Sequence, residues 1–103
     1  MAVTLQSPDL LATLNAVTTW AEQRAIQDAE IADGYLAGSG PFPERTAQLV
    51  LVGKYLSDFS EMTERWARWA TEQVEQWPDD PRARTPHWPA LRDVAQRRPH
   101  GRD

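Results

Sequence analysis

The chain has no cysteine among its 103 residues. This excludes a disulfide framework and any thiolate metal site, and it suits a reducing compartment. No apolar run approaches the ~20 residues that a membrane span needs. The opening MAVTLQSPDLL lacks the basic flank of a secretory signal. The expectation is therefore a cytoplasmic protein that does not enter a membrane. Histidine is nearly absent too: His87 and His100 are the only two, both in a proline- and arginine-rich tail where solvation is their ordinary fate. Without a histidine, cysteine or inward carboxylate cluster in the body, the chain is not expected to be an enzyme or to bind a metal or cofactor.

Positive charge is scarce where the chain is otherwise richest in pattern. Residues 1–78 carry 5 Lys and Arg against 11 Asp and Glu, a net of −6; residues 79–103 carry 6 against 4, a net of +2. Affinity for nucleic acid comes largely from clustered Lys and Arg, so direct nucleic-acid binding by the body is disfavoured. The arginines of the tail are interspersed with Asp79, Asp80, Asp93 and Asp103. Their attraction for phosphate is expected to be weak and salt-sensitive.

What the chain does have is tryptophan, five in all, three of them in EMTERWARWATEQVEQW at residues 61–77. Two long helices frame them. Ser7-Pro8-Asp9 is a helix start, with Ser as cap, Pro at the first position and Asp against the dipole. No Pro or Gly follows until Gly34, so the first helix is expected over about 8–37. Pro43-Glu44 opens a second, over about 43–77, that ends before Pro78. The link Gly38-Ser39-Gly40-Pro41-Phe42 is short, which predicts an antiparallel hairpin. It is a turn and not a phosphate loop, since neither a GK[ST] sequence nor a strand accompanies it.

Projected at about 100° per residue, the second helix sorts cleanly. Leu51, Val52, Tyr55, Phe59, Met62, Trp66 and Trp69 form one broad apolar face, while Lys54, Glu61, Glu64, Arg68, Glu72 and Glu75 fall on the far side. Those glutamates have helical spacing, yet a carboxylate metal site in a bundle needs them inward with Glu-x-x-His, and they read as a solvated face. The first helix has an alanine-rich stripe of Leu10, Leu14, Val17, Ala21, Ala25, Ala29, Ala32, Tyr35 and Leu36. Small residues there are expected to let the aromatics opposite approach closely. Asp28 lies inside the stripe and Arg24 one turn earlier, an i,i+4 pair. Asp28 serves either that pair, a contact with a partner subunit, or the orientation of a bound polar group.

A two-helix hairpin has no third element to cover the outer part of so wide an apolar face, and uncovered faces of this kind mark interfaces. The predicted architecture is all-α: a long antiparallel hairpin, residues 1–78, that dimerises into a four-helix bundle, followed by a mostly irregular tail, residues 79–103. A short helix at 89–97 is allowed there, with Leu91, Val94 and Ala95 able to dock. The same face suggests two functions. One is a homodimer core. The other is a slot between Tyr55, Phe59, Met62, Trp66 and Trp69 for a planar aromatic small molecule, with Asp28 or Arg24 supplying polarity.

The stretch GPFPERTAQLVLVGKYLSDFSEMTERWARWATEQVEQW resembles the C-terminal domain of PadR-family transcription regulators, the virulence-activator alpha C-terminal type, over roughly residues 8–78. The resemblance implies a helical hairpin with a proline–aromatic–proline turn and a Trp-rich second helix. It implies homodimerisation through Leu51, Val52, Tyr55, Phe59, Met62, Trp66 and Trp69, and binding of planar effectors in some members. The family's winged helix has no counterpart ahead of residue 8, so the expectation is a dimerisation module that pairs with itself, or with full-length PadR-like regulators, without reading DNA.

Overall fold

The structure, a computed structural model, describes residues 7–99. Helix α1 spans Ser7–Leu36 and α2 spans Thr46–Glu75, joined through a 3-10 turn at Pro43–Arg45. Helix α3 is short, Trp88–Ala95, and follows a second 3-10 turn at Pro81–Ala83. Among the described residues there is no strand. The long helices lie within a residue or two of their expected bounds, except that Pro43–Arg45 winds as a 3-10 turn before α2 proper begins.

The turn between the helices is fixed by a few specific atoms. Gly38 takes a positive φ of 78° and its N–H donates to the Tyr35 carbonyl at 3.1 Å, while the Ser39 N–H donates to the Gly34 carbonyl at 2.9 Å. These bonds satisfy carbonyls left over at the end of α1, the usual service of a glycine in that place. The Tyr35 ring then folds over Gly40, where a Cβ would overlap its carbons, and its hydroxyl donates to the Pro41 carbonyl at 2.6 Å. Phe42 also has a positive φ, 56°, with the Arg45 guanidinium 5.5 Å from its ring centre.

The two long helices meet along a line of small side chains. On α2 the buried residues are Ser60, Ala67 and Val74, spaced by seven; on α1 they are Leu14 and Ala21, with Asp28 mostly covered one heptad further on. A seven-residue repeat is the signature of helices packed nearly parallel to each other's axes. Ala21 and Ala67 are both fully buried, and beside them Arg68 reaches across to Glu22. Leu14 accordingly lies at the level of Val74, and Asp28 at the level of Ser60.

This arrangement corrects the expectation that the aromatics of α2 pack against the alanines of α1. The alanine–serine line closes the hairpin because small residues allow the nearest approach of the two backbones. The aromatic face is turned about 100° away from that line. Ala29, Ala32 and Leu36, expected in the contact stripe of α1, are exposed. The result is extended: the radius of gyration is 19.2 Å, against about 13 Å for a compact domain of this length.

The tail holds more structure than its composition suggested. Asp80 caps the Pro81–Ala83 turn by accepting from the Arg82 N–H at 3.0 Å. The guanidinium of Arg84 lies 4.9 Å from the Trp77 ring centre, and its Nε donates to the Pro78 carbonyl at 3.1 Å. His87 begins α3, its Nδ1 accepting from the Ala90 N–H at 3.0 Å. The docking expected of Leu91, Val94 and Ala95 is not seen: no Cα of α3 comes within 8 Å of either long helix, and Leu91 and Val94 are exposed.

Candidate functional site

Two features remain once the hairpin is closed: the aromatic face of α2 and a recess at the open end. The face contains all seven residues expected there. Leu51, Val52, Tyr55, Phe59, Met62, Trp66 and Trp69 are between 38% and 74% exposed. Only at Trp66 and Trp69 does another segment, Thr85–His87, come close to them. They cannot share one intrachain slot, because Leu51 and Trp69 lie eighteen residues apart on one helix, about 27 Å along its axis. They form a strip.

The strip has a companion on α1. On α2, Arg68 lies about 100° to one side of Ala67 and Trp66 about 100° to the other. On α1, Glu22 and Trp20 flank Ala21 in the same way. Ala67 and Ala21 face each other, and Arg68 meets Glu22, so that salt bridge marks one side of the hairpin. Trp66 and Trp20 therefore share the opposite side. Trp20 is 49% exposed, and Ile31, three turns further along the same side of α1, is 57% exposed. Sequence reasoning missed both because they fall off the alanine stripe. The available signal was a tryptophan on an otherwise polar flank, between Thr19 and Glu22.

Ion pairs lie on more than one side of the hairpin. Lys54 Nζ donates to Asp58 Oδ2 at 2.6 Å, and that hydrogen bond, helped by the carboxylate's charge, raises the lysine pKa above its ordinary value. Arg68 also donates to Glu64 Oε1 at 3.0 Å. The expected Arg24–Asp28 pair is present, Nε to Oδ1 at 3.3 Å, with the Asp28 side chain only 13% exposed. Its other oxygen, Oδ2, is buried with no hydrogen-bond partner. A buried carboxylate oxygen left unbonded costs roughly 1–3 kcal/mol or more.

The recess lies at the other end, where α1 begins and α2 ends. It has a volume of about 270 Å³ between Leu10 and Leu14 of α1, Trp66, Trp69 and Val74 of α2, Trp77 just beyond it, and the segment Thr85–His87. His87 stands edge-on to Trp69, ring centres 5.4 Å apart. The structure thus places the aromatic cavity away from the slot expected at Tyr55, Phe59 and Met62. Of the expected lining it keeps Trp66 and Trp69, and it adds Trp77 and His87. Arg24 and Asp28 do not border it.

Among the described residues no group of three or more His, Cys, Asp or Glu is placed to hold a metal ion, and no helix is long and apolar enough to cross a membrane. No family model, curated protein or solved structure matches the chain.

Proposed function

We propose that the chain is a homodimerisation module, associated with transcriptional regulation in the manner of the PadR regulators its helical pattern resembles. The observation that carries the dimer is uncovered area. The chain exposes 8682 Å², where a compact protein of 11.7 kDa exposes about 5,900 Å². Part of the excess is the apolar side formed by the α2 strip with Trp20 and Ile31. Taking about half of roughly 200 Å² for each such side chain gives on the order of 800 Å² per copy. A stable protein–protein interface needs about 800 Å² from each partner. Only Leu14, Ala21, Ala67 and Val74 are buried apolar residues among those described, too small a core to hold a hairpin alone. Folding is therefore coupled to pairing.

A module of this kind assembles with itself, or with full-length regulators carrying a similar hairpin, which it would withdraw from DNA. Coupled folding and pairing gives a direct test. The urea midpoint followed by circular dichroism rises with protein concentration, because mass action favours the folded dimer. A midpoint independent of concentration over a hundredfold range overturns the reading.

The open-end recess favours a second function, capture of a small planar aromatic molecule between Trp69, Trp77 and His87. Its volume approaches the lower limit of ordinary ligand sites, about 300 Å³. Titration of tryptophan fluorescence with a panel of phenolic and polycyclic compounds tests it. Saturable quenching that disappears in Trp77→Ala supports the site, and no saturable quenching by any compound removes it.

A further inference from the structure

We infer how the second copy sits: face to face, with α2 antiparallel to its counterpart about a twofold axis that crosses α2 at Met62–Thr63 and α1 at Ala25–Ile26. The inference rests on the homodimer reading and adds its geometry.

Three independent patterns give the same axis. The first is charge on the flank of α2 that points away from α1. Lys54 and Glu72 lie nine positions either side of Thr63, and Glu61 and Arg65 lie two either side. In antiparallel helices each flank meets the same flank of the other copy, so Lys54 faces Glu72 of the second copy and Glu61 faces its Arg65. All four are exposed in the single chain. The second pattern is bulk. About the same axis Phe59 meets the second copy's Trp66, Tyr55 meets its Trp69, and Met62 meets itself, so apolar residues oppose apolar ones through the middle of the strip, while Leu51 and Val52 reach the level of Val74 and Gln73.

The third pattern comes from the other helix. Counting four residues along each helix from the Ala21–Ala67 level puts Ala25 opposite Thr63, so the axis reaches α1 at about residue 25. Trp20 and Ile31, the two exposed apolar residues on this side of α1, lie almost symmetrically about Ala25–Ile26. They meet each other across the axis. The alternative twofold, parallel to the helices, sets α2 on the other copy's α1. It brings none of these α2 charges together.

The absence of native cysteine makes the axis measurable. A disulfide requires Cα atoms within about 7 Å. Met62→Cys, a half-exposed position at the axis, is expected to oxidise to a covalent dimer. Val52→Cys is not, because its symmetry mate is about 30 Å away along the helix. Lys54→Glu is expected to weaken the dimer severalfold on dilution, and adding Glu72→Lys in the same chain restores it, as two flank charges that face each other across the axis require. These two positions are exposed, so that arm does not depend on the packing at Met62. Light scattering on the reduced samples is run alongside. A dimer that cross-links at Val52 but not at Met62, or that the Lys54/Glu72 charge exchange fails to restore, overturns the axis and leaves the dimer standing. A monomer in the reduced samples overturns both.

Discussion

The two halves of the hairpin solve the same packing problem with opposite means. In the open half, α1 from Leu10 to Asp28 lies against α2 from Ser60 to Val74 through small side chains, and the backbones come close enough to bury Ala21 and Ala67 completely. In the turn half, α2 from Thr46 to Phe59 carries Leu49, Val50, Leu51, Val52, Tyr55, Leu56 and Phe59, and each of them is exposed. Apolar content alone therefore does not say where a chain packs on itself. The small side chains form the intrachain contact, and the large ones, Trp66 and Trp69 of the open half among them, are left for another molecule. Close approach selects alanine and serine; reach across a wider gap selects phenylalanine, tyrosine and tryptophan.

The largest expected effect breaks the turn-half strip. Phe59→Ala, read as the shift in urea unfolding at fixed protein concentration, loses about 3–5 kcal/mol if the ring is buried in a dimer. A loss under about 0.5 kcal/mol says that the ring stays in water and the contrast between the halves has no second copy behind it. Next comes the open half. Ala67→Leu inserts bulk where the two backbones are nearest and costs about 1–3 kcal/mol, with the loss appearing in thermal melts at every protein concentration. If Ala67→Leu is instead neutral, the alanine line is not the closest contact.

Gly40→Ala is a smaller disturbance, on the order of 1 kcal/mol, because the Tyr35 ring must leave its place over Gly40 and its bond to Pro41. A melting temperature equal to the parent's shows that the turn adjusts freely. The smallest effect belongs to the tail. Removal of residues 79–103 takes away α3 but nothing that α1 and α2 bury against each other, so the helical signal falls only by the share of α3 and the chain remains dimeric. Unfolding or dissociation of the truncated chain shows instead that the recess walled by Thr85–His87 belongs to the core.

The hairpin itself was legible in the sequence because its signals are local: Pro8 and Pro43 at helix starts, Gly38 and Gly40 in the turn, Pro78 after the end. The aromatic strip was legible too, since a 3.6-residue period sorts Tyr55, Phe59, Met62 and Trp66 onto one face. Which face meets α1 was not. Val74 and the aromatics fall within one apolar arc wider than a single helix contact, and periodicity does not say which edge of the arc the partner helix takes. The same limit hid Trp20 and Ile31, which become part of the surface only when α2 lies beside them. The cavity could not be read at all, because it needs Thr85–His87 to return to the end of the hairpin, and that return depends on the Arg84–Trp77 stacking and the Asp80 cap.

Sedimentation equilibrium of the intact chain at micromolar concentration, with helicity checked on the same sample, tests the central claim most directly. The account predicts a folded particle of about twice the 11.7 kDa chain mass, dissociating on dilution only together with loss of helix. A helical, folded species at the mass of one chain across the concentration range contradicts it.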